Sequence, residues 1–126
     1  VMYKKLIILS LMITSLFSQV RELTDENFDK ATARGVAVVE FWASWNNANK
    51  VTVLDEWETF DAKVYRLNID LYPKVQSKNG VVILPTIVFY DDGEEVKRLQ
   101  GDMSFSLKVT KEELEEIIEE ILGSKF

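Results

Sequence analysis

Hydrophobic and polar positions along the chain follow two rhythms. From residue 20 onward, short apolar runs alternate with segments whose apolar positions recur every three to four residues. Residues 20–23 read as a short strand. Thr24 then stands as an N-cap with Asp25 and Glu26 in the first turn, so a helix is expected to about Ala33, where Arg34-Gly35 ends it. Leu23 and Phe28 are spaced as a hydrophobic staple across that start. "VAVVEFW" (36–42) is almost continuously apolar, the pattern of a central strand covered on both faces.

A second helix is expected from Asn46 or Asn47, with Val53, Leu54, Trp57 and Phe60 on one face, although the stretch before the next strand is short. "KVYRLNID" (63–70) predicts a strand, and "LYPKVQSKNG" a short helix closed by Asn79-Gly80. "TIVFYDDGEEVKRLQ" predicts a hairpin turning at Asp91-Asp92-Gly93. Met103, Phe105, Leu107 and Val109 alternate strictly, which predicts an extra half-buried strand over 102–109. The last helix carries a capping box at Thr110 and Glu113, a stop at Gly123, and an apolar stripe of Leu114, Ile117, Ile118, Ile121 and Leu122. Its glutamates read as a solvated outer face. Strands separated by helices imply a parallel sheet with right-handed crossovers, and the hairpin adds an antiparallel edge. The pattern is that of a three-layer α/β sandwich.

Composition narrows the chemistry. The chain has no cysteine and no histidine. Thiolate nucleophiles, disulfides, Cys-based zinc sites and the usual general base near neutral pH are therefore excluded. A net charge of −6 argues against a phosphate-binding surface, so nucleic acid is not an expected partner. Asp91, Asp92, Glu94 and Glu95 lack calcium-loop spacing and read as a charged hairpin tip.

Residues 1–18 form a separate unit. Lys4 and Lys5 precede an apolar stretch over 6–17, and small residues follow at Ser15 and Ser18. That is the order of a secretory signal, and it falls short of the about 20 residues of a membrane span. Cleavage after Ser18 is expected to leave a domain over 19–126, periplasmic or secreted, with no membrane span.

"ELTDENF", "VVEFWASW", "LNID", "GVVILPT" and "FYDDGEEVKRLQG", followed by the final helix, stand in the order and spacing of the thioredoxin family, which the chain resembles over nearly all of 19–126. The resemblance implies the thioredoxin fold, an α/β/α sandwich with a mixed central sheet in strand order 1-3-2-4-5 and a cis bond before Pro85. It also implies a site. In the family a tryptophan precedes Cys-x-x-Cys and a lysine follows it. Here Trp45 and Lys50 are kept, while Asn46 holds the nucleophile's position and Asn49 that of the resolving thiol. The family's dithiol–disulfide exchange runs through a thiolate and a mixed disulfide. An amide has no such redox couple and forms no bond to sulfur, so no catalytic residue, metal or cofactor is expected and the oxidoreductase activity should be absent.

Other roles follow for these positions. Asparagine caps helices well, so Asn46 and Asn49 are expected to satisfy backbone N–H groups, with Asn49 the more buried and Asn46 exposed beside Trp45. Glu40, the one charge in 36–42, matches the family's buried acid. An unpaired carboxylate there should have a raised pKa, and Glu40→Gln is expected to leave the fold intact with stability unchanged or raised. The resemblance places a bound peptide in a groove of Trp45, Asn46, Leu84, Pro85, Gly101 and Met103, with Leu84 offering its backbone as in strand addition. The expected function is polypeptide binding by an exported, redox-inactive thioredoxin-like protein. Two alternatives stand beside it: a thiol–disulfide oxidoreductase whose cysteines were replaced by engineering, and a self-associating structural domain with 102–109 as a homodimer edge.

Overall fold

A computed structural model describes residues 20–124. The signal segment expected at 1–18 lies outside the described residues. The elements are β1 (Arg21–Leu23), α1 (Phe28–Thr32), β2 (Val36–Trp42), a 3-10 turn (Ser44–Asn49), α2 (Val53–Glu56), β3 (Ala62–Asn68), α3 (Pro73–Lys78), β4 (Thr86–Asp91), β5 (Glu94–Gln100) and α4 (Lys111–Gly123). The strands form one mixed sheet in the order β1-β3-β2-β4-β5. β1 and β2 run parallel to β3, while β4 is antiparallel to both β2 and β5.

Strand alternation splits the core into two layers. Ala37, Val39 and Phe41 of β2 pack on one side with Phe28 of α1 and Val75 of α3. Val36 and Val38 pack on the other with Leu54 of α2 and Leu114, Ile118 and Ile121 of α4. Both faces of β2 are covered, as its nearly continuous apolar run requires. Glu40 shares the phase of Val36 and Val38, so its carboxyl enters the α2 layer.

The caps show how local chemistry sets the boundaries. Asn27 N–H donates to Thr24 Oγ1 (3.3 Å) and Thr24 N–H donates to Asn27 Oδ1 (2.7 Å), a reciprocal box with asparagine in the usual place of glutamate. Glu113 N–H donates to Thr110 Oγ1 at 3.1 Å and starts α4. Gly123 remains inside α4, and the cap falls on Ser124 rather than on the glycine. In the hairpin, Asp92 (φ 50°) and Gly93 (φ 89°) both adopt positive φ, the geometry of a tight two-residue turn.

Two elements depart from the pattern. The second helix, expected from Asn46 or Asn47, shrinks to four residues: Lys50 (φ −55°, ψ 145°) separates it from the 3-10 turn before it, and Trp57 takes extended backbone (φ −92°, ψ 115°) at its end. A crossover must return along the whole strand, and extended chain covers about 3.3 Å per residue against 1.5 Å for a helix. With few residues available, extension wins. Trp57 stays buried, while Phe60, expected on the same face, is fully exposed. The second departure is at 102–109, where no strand forms. Phe105 has φ 59°, which no strand accommodates. Leu107 and Val109 still pack partly against the α4 layer, so only the second half of the alternation reports burial.

Candidate functional site

The site begins where β2 runs out. Ala43 is still extended (φ −135°, ψ 150°), and the chain then winds into the 3-10 turn. The end of β3 fixes that turn: Ser44 N–H donates to Asp70 Oδ2 (2.7 Å) and Asn68 Nδ2 donates to Ser44 Oγ (3.2 Å). Trp45 is left 61% exposed. Lys50, at the far end, places Nζ 4.4 Å over the Trp42 ring.

Asn46 breaks the helical run (φ −116°, ψ 22°), and its residue is buried. Its Nδ2 donates to the Phe105 carbonyl (3.0 Å), and its Oδ1 accepts from Asn49 Nδ2 (2.8 Å). Neither side chain caps the turn. Burial is also the reverse of expectation, with Asn46 inside and Asn49 exposed. The cause is the 102–106 loop, which lies over position 46.

That loop meets the proline. The Leu84–Pro85 bond is cis, and both residues are buried. Gly101 N–H donates to the Pro85 carbonyl at 2.8 Å. A Cβ on Gly101 would stand 2.8 Å from Leu84 O and 3.0 Å from both Pro85 Cδ and Ser106 O, so glycine permits the close approach. Asp102 then organises the loop. Its N–H donates to Ser106 O (3.0 Å), its carbonyl accepts from Phe105 N–H (3.0 Å), and its Oδ1 accepts from Ser104 N–H (2.9 Å). The Ser104 hydroxyl and N–H hold the Asp102 carboxyl below its ordinary range. The Phe105 ring stands edge-on to Trp45, with centroids 5.2 Å apart and planes at 90°.

The 101–106 segment thus links two groups of the expected site, Phe105 touching Trp45 and Asn46 while Gly101 approaches Leu84 and Pro85, with Met103 fully exposed between them in the sequence. Phe105, which joins Trp45 to Asn46, was not among the expected site residues. Its alternation with Met103 and Leu107 suggested a strand position instead. A cleft of about 440 Å³ lies elsewhere, under α2 between Val20, Trp57, Phe60 and Tyr65, and shares no residue with the proline face.

Behind the turn, Glu40 is buried and hydrogen-bonded, as expected of an acid kept for structure, and its partner is Arg66. Glu40 and Arg66 are direct neighbours in the β2–β3 register, and Arg66 Nε donates to Glu40 Oε1 at 2.9 Å. Glu40 Oε2 accepts from Val51 N–H (2.9 Å). Arg66 also donates to Asp55 Oδ1 (2.7 Å) and to Val51 O (2.8 Å). Burial lifts the Glu40 carboxyl above its ordinary range, and the Val51 N–H and Arg66 pull it back. Burial opposes the Arg66 charge, and hydrogen bonds to Asp55 and Glu40 more than restore it. Two donors converge on Glu40, one per oxygen, and an amide offers one acceptor for the pair. Glu40→Gln is therefore expected to cost about 1–2 kcal/mol, since one buried donor loses its acceptor. An unchanged or raised urea midpoint would contradict this.

Known proteins place the architecture. The thioredoxin family model matches residues 19–120. The chain belongs to the thioredoxin family. It is 35% identical over 106 residues to the thioredoxin of Staphylococcus saprophyticus, covering 80% of this chain and 96% of that one. With the thioredoxin of Listeria monocytogenes it shares 33% over 104 residues, 79% of this chain and 95% of that one. Among solved structures, the thioredoxin of Malassezia sympodialis superposes with a TM-score of 0.66 at 20% identity, covering 81% and 90% of the two chains. A mutant thioredoxin from Halobacterium salinarum gives 0.63 at 24%, covering 82% and 90%. These two likenesses speak to the fold. Asn46 and Asn49 stand where a thioredoxin carries its cysteines, and the sequence has none elsewhere. Dithiol–disulfide exchange is closed to this member on chemical grounds.

Proposed function

We propose that this thioredoxin-family protein is exported and binds a polypeptide, without redox chemistry, on the face around Pro85. The observation that carries the reading is a group of large apolar side chains at the surface: Trp45 (61% exposed), Met103 (97%) and Phe105 (45%). Such groups on a soluble domain mark contact surfaces. The carboxyl groups nearby are hydrogen-bonded into the frame, Asp70 to the turn and Asp102 to its own loop. What remains outward is aromatic, thioether and amide, a surface that binds rather than reacts. The order of residues 1–18 supports export.

The test is a titration of the ¹⁵N-labelled protein with extended peptides of mixed sequence. Amide shifts are expected at Trp45, Asn46, Gly101 and Met103, and an undisturbed proline face at millimolar peptide defeats the reading. Protein recovered from outside the cytoplasm should begin at Gln19.

A further inference from the structure

The contact that closes the proline face is made by the chain itself. Phe105 supplies two things there, a ring edge to Trp45 (5.2 Å) and a main-chain carbonyl to Asn46 Nδ2 (3.0 Å). Those are the two offers a bound polypeptide makes: a side chain for an apolar contact and a backbone acceptor for a fixed donor. We propose that residues 102–106 are a resident stand-in for the partner, so that the polypeptide recognised here carries an aromatic residue that replaces Phe105 on Trp45 and Asn46 and displaces the loop. This rests on the polypeptide-binding reading above.

Three features make the loop displaceable. It is held together internally, by Asp102 N–H to Ser106 O and Phe105 N–H to Asp102 O, so it can lift as a unit. Phe105 adopts φ 59°, a region unfavourable to any residue with a Cβ, so the closed form carries strain that its contacts to Trp45 and Asn46 help to offset. Met103 is fully exposed and Phe105 nearly half exposed, so little core is lost on opening. The loop and an incoming segment then compete for one donor and one ring, and the loop lowers the apparent affinity by the fraction of time it is closed. Aromatic specificity follows from Trp45, whose ring favours edge-on or offset partners over aliphatic ones.

The experiment compares the unaltered chain with Phe105→Ala, both ¹⁵N-labelled, in titration with the acetylated, amidated peptide DMSFSL that copies residues 102–107. A second peptide has leucine in place of phenylalanine. Phe105→Ala is expected to bind the phenylalanine peptide about tenfold more tightly than the unaltered chain does, with shifts at the Trp45 indole N–H and the Asn46 side-chain amide. The same variant should prefer phenylalanine to leucine by about threefold. Equal affinity in the two proteins overturns the stand-in and leaves the polypeptide reading standing. Equal or stronger binding of the leucine peptide overturns the aromatic requirement. No shift in either protein at millimolar peptide overturns both readings together. Phe105→Leu is the second variant, keeping the bulk and losing the edge-on contact, and its affinity should fall between the other two.

Discussion

Arg66→Met is expected to lower stability by about 3–5 kcal/mol at neutral pH, the range for breaking a buried ion pair from one side. Arg66 is 4% exposed and Glu40 has no exposure, so water cannot replace the lost guanidinium. The Val51 N–H alone would remain on the carboxylate. Burial already lifts the Glu40 carboxyl, and removing Arg66 takes away one of the groups that hold it down. The sign follows directly. A carboxyl raised in the folded state binds its proton more tightly there than in the unfolded chain. Its stabilising share is fully present below the unfolded value, near 4.5, and is lost as pH rises through the folded value. Acidification from pH 8 to pH 5 should therefore narrow the gap between Arg66→Met and the parent in urea unfolding. Adding Glu40→Leu should recover most of the loss, because no buried charge is then left alone. A gap that stays constant with pH would mean that lost packing, not the stranded carboxylate, sets the cost.

That pair also shows what the sequence conveys and what it withholds. Alternation alone puts Glu40 on one face of β2 and Arg66 on one face of β3, so each charge was visible as an odd polar residue in an apolar run. Their meeting depends on register, which aligns Glu40 with Arg66 only after the two strands are set side by side. A central strand with one acid, beside a strand whose apolar half holds one base, Arg66, is the available signal.

The fold was legible because each element carries its own local evidence. The nearly continuous apolar run of β2, the Thr110 cap, the Asp92-Gly93 turn and the stripe of α4 are settled within a few residues. Where distance had to be spanned, periodicity misled. Val53, Leu54, Trp57 and Phe60 share a helical face on paper, but the crossover to β3 requires extension after Glu56. At 102–109 the alternation was real, yet Asp102 offers its backbone and side chain to a turn that strand pairing cannot match. The burial of Asn46 follows from that same turn. Nothing within "SWNNANK" announces it, because the atom that covers Asn46 belongs to Phe105, 59 residues later.

Gly101→Ala should be the most disruptive of the single-atom changes at the site, costing about 3 kcal/mol, the upper part of the usual range for overpacking. The added methyl would meet Leu84 O at 2.8 Å, with Pro85 Cδ and Ser106 O at 3.0 Å. None of these is the free end of a flexible side chain, so none can swing aside. Leu84 and Pro85 lead directly into the buried strand β4, and Pro85 O is bonded to the Gly101 N–H itself. Ser106 belongs to the exposed loop, so the loop is where the strain should be released. The variant should then show two linked effects: a lower midpoint in thermal unfolding, and a Trp45 indole signal moved toward its position in Phe105→Ala. Gly80→Ala is the matched control. Gly80 has φ 63° but nothing within 4 Å of where a methyl would stand, so its cost of about 1–2 kcal/mol comes from backbone conformation alone. If Gly101→Ala falls no further than this control and leaves Trp45 unmoved, the close approach of proline, glycine and loop is not what holds Phe105 in place.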